Sequence, residues 1–256
     1  MDEKIDGFIN QFQVNIANTK KEKETLRRLR HEIFIEELEY QLKADEKRKL
    51  EHDHFDDAAI HCFITHKRTG LIAGCMRLVL PFGEGTLAPA LPLEDFCSPL
   101  FKHPTYYPQH FPHEKVCEVS RFAIPRIFRN KSRQSNCEGQ QIEFHKAEVA
   151  LFPMIMIGLF LATFALVGLT GRPHVFALMQ PNLPRALSFS GFHFTRITDI
   201  FEYFGTRGAY YINHQRASNE FKRELAPLYR HIKHQIRDSL PDEYRPASHR
   251  SHEALL

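Results

Sequence analysis

The sequence lacks the motifs that mark the commonest enzyme sites. It contains no GxGxxG, no P-loop, no GxSxG and no HExxH, so none of the sites that depend on them is predicted. Its five cysteines are odd in number and show no CxxC pairing, which favours reduced thiols in a cytoplasmic protein over disulfides or a zinc site. No histidine pair has an acidic or cysteine partner at metal-motif spacing, so we expect no metal ion.

The net charge of the chain gives no support for a nucleic-acid-binding protein. A formal net charge of +3 over 256 residues is too small to indicate nucleic-acid binding, although a local basic patch would suit an acidic protein partner. The chain begins with charged residues and has no apolar run behind them, so we predict no signal peptide. An apolar fraction of 43% and a charged fraction of 25% are typical of a soluble protein.

One long apolar run, residues 149–170, contains no charged residue and approaches the roughly 20 residues that span a bilayer. A central helix packed on a sheet gives the same pattern. A strand-like run, residues 174–179, follows almost at once, as a βαβ crossover requires. We therefore favour a buried helix, with a membrane span or a peripheral membrane contact as alternatives.

Hydrophobic periodicity predicts a mixed sheet flanked by helices. The main predicted elements are a helix over 20–42, hairpin strands over 59–67 and 71–80, a strand over 116–124, a helix over 140–169, a strand over 174–179 and a helix over 221–240. This order predicts an α+β fold, an α/β/α sandwich, in a single domain over residues 1–240. The polar residues 241–256 are expected to form a disordered tail.

The strand over residues 116–124 carries two opposite charges, Glu118 and Arg121, within an apolar run. Because burying a charge is costly, the pair indicates a site. Residues three apart on a flat strand point to opposite faces, so both side chains reach one pocket only if a bulge lies between them. We place that bulge within residues 119–122.

Polar and aromatic residues follow one another over about ninety residues in an order that resembles the acyl-homoserine-lactone synthases and the related N-acyl amino acid synthases. They are Arg30, Phe34, Tyr40, Glu51, Asp53, Asp56, Arg77, Glu118 and Arg121. The lactone synthases usually have Trp where Tyr40 stands, and this chain has no Trp. Its second half, notably residues 181–187, 190–194 and 203–210, is more similar to the acyltransferases of PEP-CTERM/exosortase systems.

The resemblance extends over residues 10–235 and implies a GNAT-like acyltransferase fold with no permanently bound cofactor. It implies an N-acyltransferase that moves a long-chain fatty acyl group from acyl carrier protein, or from CoA, to the amine of an amino acid or a similar acceptor. A lactone synthase that uses S-adenosylmethionine and a non-catalytic lipid-binding protein on the same fold are the alternatives.

The resemblance also suggests roles for particular residues. Glu118, Ser120 and Arg121 are the catalytic candidates, with Glu118 as a general base or an amine ligand and Arg121 as a ligand for an acceptor carboxylate. Arg30, Phe34, Tyr40, Glu51, Asp53, Asp56 and Arg77 would form the acceptor side. The same cluster could instead only hold the first long helix over the sheet.

Two further sets of side chains are assigned to the acyl donor. An apolar tunnel would be lined by Phe122, Phe152, Met156, Phe160 and Phe176, with Met154 and Phe164 beside them. Acyl carrier protein is strongly acidic, and its predicted docking patch is Arg126, Arg129, Lys131 and Arg133.

Overall fold

The computed structural model describes residues 2–57, 59–81, 91–130, 134–137 and 140–246. Its helices are α1 (Asp2–Gln11), α2 (Lys20–Arg30), α3 (Pro92–Cys97), α4 (Arg126–Arg129), α5 (Lys146–Thr170), α6 (Asn182–Ser188), α7 (His214–Glu220) and α8 (Ala226–Ser239). Its strands are β1 (Phe12–Ile16), β2 (Ala44–Asp45), β3 (Leu50–Glu51), β4 (Ala59–His66), β5 (Ile72–Val79), β6 (Val116–Ala123), β7 (Gln134–Cys137), β8 (Gln140–Glu143), β9 (His174–Met179), β10 (Thr195–Arg196), β11 (Phe201–Glu202) and β12 (Thr206–Asn213).

The main sheet has the strand order β1-β4-β5-β6-β9-β12-β10, and β11 pairs with β12 at its edge. The central strands β6 and β9 are parallel, whereas β1–β4, β4–β5, β5–β6 and β9–β12 are antiparallel. A parallel pair needs a crossover connection, and α5 supplies it. The predicted mixed sheet is therefore confirmed.

Helices cover both faces of this sheet. On one face α1, α5 and α8 pack together over β1, β4 and β5 and bury the main apolar core. On the other face Leu26 of α2 packs near Cys75 and Ala123, and Leu93 of α3 packs near Val116 and Phe176. The chain is thus an α/β/α sandwich, as predicted.

The apolar run forms α5, a helix long and apolar enough to cross a membrane. However, 72% of its most apolar stretch is buried inside the protein, because β4, β5, α1 and α8 surround it. This is the arrangement of a core helix in a globular domain. A cytoplasmic location and a peripheral membrane contact stay predictions.

Two helices begin or end at residues other than those predicted. The helix predicted over 20–42 continues from α2 into a π-helical turn, His31–Glu37, and stops there, because Glu39 adopts the left-handed conformation with φ 55°. The helix predicted over 140–169 begins only at α5, since Gln140–Glu143 pair as strand β8 and a Glu148 carboxylate oxygen accepts the His145 N–H at 2.6 Å. The short helix α7 was not predicted from the sequence.

The boundary of the predicted tail also changes. Asp242–Tyr244 form a 3₁₀ turn, and an Arg245 side-chain N–H donates to the Arg237 carbonyl at 2.7 Å. The first residues of the tail predicted over 241–256 are therefore folded onto α8. Residues 247–256 lie outside the described part of the chain.

Candidate active site

The centre of the site is a bulge in β6. Arg77 of β5 is paired with Ser120, but Cys75 is paired with Ala123, so β6 has one extra residue between these pairs. Arg121 lies there with φ 54°, a left-handed conformation that is rare for a residue with a Cβ and marks functional positions. The bulge predicted within residues 119–122 is confirmed. It brings the Arg121 side chain beside the same cavity as Glu118.

The sheet opens next to this bulge. The parallel pairing of β6 and β9 runs from Val116↔His174 to Val119↔Ala177, and beyond that point the two strands separate. A cavity of about 360 Å³ occupies the opening. It is lined on one side by residues 118–122 of β6 and on the other by residues 177–180 at the end of β9. Main-chain groups that would pair in a continuous sheet therefore face this cavity.

A compact ionic cluster holds the polar side of the cavity. Arg30 of α2 is 1% exposed and donates to both Asp56 carboxylate oxygens, at 2.9 and 3.0 Å, while its Nε lies 2.6 Å from Glu51. Arg77 of β5 is completely buried and donates to both oxygens of Asp53, at 2.6 and 2.9 Å. These contacts tie α2 and the sheet to residues 51–56.

Arg121 completes the cluster from β6. Its guanidinium donates to Glu51 at 2.9 Å and to Asp53 at 3.0 Å. The cluster of Arg30, Arg77 and Arg121 with Glu51, Asp53 and Asp56 is therefore neutral overall, with three cations and three anions. The adjacent His61 adds no charge at neutral pH, because burial and the nearby Arg30 lower its pKa to about 4.

Glu118 stands apart from this balanced cluster. It is 2% exposed, lines the cavity, and one of its oxygens accepts the Leu93 N–H of α3 at 2.7 Å. Burial raises its pKa to about 8, although the Leu93 N–H and the charges of Arg77 and Arg121 oppose the shift. A carboxylate with a pKa close to the working pH can accept a proton and later return it.

Ser120 is also at the cavity wall, where its hydroxyl oxygen accepts a hydrogen bond from Arg77 Nε at 3.1 Å. Its role in catalysis stays a prediction.

The rings of Phe34, Tyr40 and Phe204 also line the cavity. Tyr40 stacks between Phe34 and Phe204, with ring centroids 6.1 and 5.1 Å away. The Tyr40 hydroxyl accepts a hydrogen bond from Arg207 of β12 at 3.0 Å. Phe34 and Tyr40 were predicted from the sequence, whereas no role was predicted for Phe204 or Arg207. The only sequence signal near these two residues was the pair Gly205 and Gly208, which indicates a turn.

Only some of the residues predicted to line an acyl tunnel lie at the cavity, and their role in acyl binding stays a prediction. Phe122, Phe160 and Phe164 line the cavity, together with Val167, Phe192, Ile212 and other apolar side chains. Phe152 instead packs against Phe128 and Phe144, and Met154 and Met156 belong to the core around α5. Phe176 instead packs with Leu93 of α3, Val116 and Tyr211, whereas its neighbours Val175 and Ala177 line the cavity.

Two residues of the predicted docking patch lie in the described part of the chain, and docking itself stays a prediction. Arg126 and Arg129 are both exposed, and Arg129 also forms an ion pair with Glu37 and donates to the Ile124 carbonyl at 2.7 Å. Lys131 and Arg133 lie outside the described residues.

Other reactive groups offer no alternative centre in the described part of the chain. Cys75, Cys97 and Cys117 are buried, and burial raises the pKa of each thiol to about 12, so none is a ready nucleophile. The described residues contain no group of three or more His, Cys, Asp or Glu that could hold a metal ion.

Comparison with known proteins agrees with this architecture. Residues 29–135 match the model of an acetyltransferase (GNAT) domain, which includes the cluster, β5 and the bulged β6. The chain carries an acyltransferase domain of the GNAT type. Because GNAT domains transfer acyl groups, the prediction that the chain is an enzyme is confirmed. No curated protein sequence matches the chain.

Solved structures share the GNAT fold over most of the chain. TofI, in a complex with an inhibitor and MTA, is 21% identical, with 85% of this chain and 96% of that chain covered and a TM-score of 0.57. BjaI, a CoA-dependent acyl-homoserine lactone synthase with SAM and isopentyl-CoA, is 17% identical, with coverage of 87% and 89% and a TM-score of 0.56. FeeM, an N-acyl amino acid synthase from uncultured soil microbes, is 13% identical, with coverage of 82% and 95% and a TM-score of 0.54.

The ionic cluster of this GNAT domain gives a stability prediction. Asp56→Asn should lower the free energy of unfolding by about 3–5 kcal/mol, because it removes a carboxylate paired with buried Arg30 and Arg77 and leaves the buried cluster with an excess positive charge. Urea unfolding at pH 7 measures the change. Asp57→Asn is the matched control: its side chain is 94% exposed and lies 3.5 Å from Arg27, so we expect a change below about 1 kcal/mol. Equal effects of the two substitutions would contradict the assignment.

The same variant has an expected pH dependence. Burial alone would raise the pKa of Asp56, but Arg30 and Arg77 outweigh it and hold the pKa well below its usual 3.8. The carboxylate therefore stabilises the folded chain above about pH 4, and this contribution is lost as the pH falls further. Wild-type stability should drop in that range more steeply than that of Asp56→Asn.

Proposed function

We propose that this GNAT enzyme is an N-acyltransferase, which moves a long-chain fatty acyl group from acyl carrier protein to the amine of an amino acid or a similar acceptor. One observation carries the proposal: a single cavity joins Glu118 and Arg121 to a deep apolar wall beside α5. An amine acceptor and an acyl chain could therefore occupy its two ends together.

The proposed reaction is a direct transfer. The neutral amine nitrogen attacks the thioester carbonyl carbon, a C–N bond forms, and the C–S bond breaks. Glu118 accepts the proton that the nitrogen loses and returns it to the departing thiolate. The thiol formed in this way has a pKa of about 8.5, like that of cysteine. The raised Glu118 pKa supports this cycle, because it lies close to the pKa of the leaving thiol.

The bulge supplies the electrostatic part of the proposal. Attack on the carbonyl places negative charge on its oxygen, and preorganised N–H donors stabilise such an oxyanion. Main-chain groups of β6 beyond Val119 have left β9 and border the cavity, so they are the candidate donors. Arg121 contributes positive charge nearby, although its guanidinium is already engaged by Glu51 and Asp53.

A second candidate is lactone synthesis with S-adenosylmethionine as acceptor. The likeness to TofI and BjaI favours it, since their structures contain MTA and SAM. The likeness to FeeM favours the amino acid acceptor. Tyr40, in place of the Trp usual in lactone synthases, also favours the amino acid acceptor.

Product analysis decides between these functions. The purified chain is incubated with palmitoyl-acyl carrier protein or palmitoyl-CoA, together with an amino acid mixture or S-adenosylmethionine, and the lipids are identified by mass spectrometry. We expect N-palmitoyl amino acids from the carrier-bound donor. An acyl-homoserine lactone would establish the second candidate, and bound lipid without any product would indicate a lipid-binding protein.

The apolar wall predicts a dependence on acyl length. Each methylene buried in the cavity contributes about 0.8 kcal/mol, which corresponds to roughly fourfold in kcat/KM until the cavity is filled. We expect kcat/KM to increase from octanoyl to longer donors at a fixed acceptor concentration. A preference for octanoyl or shorter chains would contradict a deep acyl site.

Glu118→Gln tests the proton transfer. We expect kcat to fall by about 10²- to 10⁴-fold, because the amide cannot take the amine proton. In the wild type, activity should increase with pH through about 8 as Glu118 loses its proton. The variant should lack this contribution and keep only the increase that comes from deprotonation of the acceptor amine.

Glu114→Gln, at an exposed position just before β6, is the control and should keep full activity. A folded Glu118→Gln variant with unchanged turnover would remove Glu118 from the reaction.

A further inference from the structure

The ionic cluster leaves one question about the acceptor side. An amino acid carries a carboxylate as well as an amine. From the sequence, Arg121 was the predicted ligand of that carboxylate. In the structure Arg121 is bound to Glu51 and Asp53, within a cluster whose charges already cancel. A substrate carboxylate there would have to displace one of these partners, so another cation is the better candidate.

Arg207 of β12 meets that requirement. It is half-buried and lines the cavity, and the described residues place no carboxylate within ion-pair distance of it. Its hydrogen bonds go to neutral oxygens: the Tyr203 carbonyl at 3.3 Å, the Phe204 carbonyl at 3.1 Å and the Tyr40 hydroxyl at 3.0 Å. These bonds use Nε and Nη2, which leaves Nη1 donors for a ligand.

The surrounding backbone holds this guanidinium in place. Phe204 has φ 48° and Gly205 has φ 87°, so the chain reverses between β11 and β12 in a conformation that places both carbonyls against Arg207. The Tyr40 hydroxyl accepts a third hydrogen bond from this guanidinium. A fixed guanidinium that is partly removed from water and lacks a counter-ion favours an anionic ligand.

Tyr203 connects this cation to the reaction centre. Its carbonyl accepts from Arg207, while its half-buried side chain lines the same cavity as Glu118 and Arg121. Among the described residues that line the cavity, the Glu118 carboxylate and the Arg207 guanidinium take no part in the neutral ionic cluster.

We propose that Arg207 binds the acceptor carboxylate while Glu118 receives the amine, so that the enzyme selects α-amino acids over simple amines. This assignment rests on the proposed acyl transfer and specifies its substrate class. The rings of Phe34, Tyr40 and Phe204 beside Arg207 would contact an apolar or aromatic acceptor side chain.

The test compares two acceptors that differ by the carboxylate, phenylalanine and 2-phenylethylamine, with the same acyl donor. Arg207→Met should lower kcat/KM for phenylalanine by about 10- to 100-fold, mainly through KM, because a charge-assisted contact is lost. The value for 2-phenylethylamine should stay within about threefold of wild type, since that acceptor never makes the contact.

Variant-to-wild-type ratios remove the difference between the two amines in basicity. Arg207→Lys should recover part of the loss, because it keeps the charge but not the paired donors. Arg196→Met, an exposed arginine on β10, is the matched control and should change neither acceptor. Equal losses for both acceptors in Arg207→Met, or no loss for phenylalanine, would overturn the assignment.

A binding experiment separates this inference from the transfer reaction. Calorimetry with N-dodecanoyl-phenylalanine and N-dodecanoyl-2-phenylethylamine needs no turnover. We expect wild type to bind the acid about tenfold more tightly and Arg207→Met to lose that preference. Equal wild-type affinities would overturn the role of Arg207, whereas a preference without acyl transfer would refute only the proposed reaction.

If Arg207→Met does not fold, Tyr40→Phe replaces it. This variant removes one acceptor of the guanidinium and leaves the charge in the chain. KM for phenylalanine should increase severalfold more than KM for 2-phenylethylamine, and identical changes for the two acceptors would count against the assignment.

Discussion

The buried ionic cluster is the constraint on which the rest of the site depends. Guanidiniums from α2, β5 and β6 meet the carboxylates of residues 51–56, and four of these six side chains are almost completely buried: Arg30, Arg77, Glu51 and Asp56. Isolated charges there would be strongly destabilising, and the cluster is tolerable because cations and anions balance and share hydrogen bonds. Residues 51–56 therefore cannot move independently of the first long helix or of the sheet.

The bulge follows from the same requirement. For Arg121 to reach Glu51 and Asp53, β6 must take an extra residue and a left-handed turn at that position. The turn ends the regular pairing with β9 and helps to open the cavity. The cost of the unfavourable backbone is offset by two ion pairs, so charge pairing on one face of the sheet produces the opening that a substrate would use.

A balanced cluster also changes which groups are available for chemistry. Charges that satisfy one another hold the chain together but have little capacity left for a ligand. Glu118 is buried next to the cluster without a cation of its own, so burial governs its protonation. Arg207 has neutral partners and keeps free donors. We therefore expect the residues with the closest ion pairs to be structural and the partly unpaired ones to contact the substrate.

The sequence by itself determined the sandwich, the hairpin and the central strand with its bulge, and the resemblance to acyl synthases added the other members of the ionic cluster. Periodicity reports which face is buried, and two opposite charges in an apolar strand are a strong local signal. The tertiary structure alone decided which phenylalanines line the cavity, since Phe122 and Phe160 do so while Phe152 and Phe176 pack elsewhere. It also brought Arg207 beside Tyr40, 167 positions away, which no local pattern encodes.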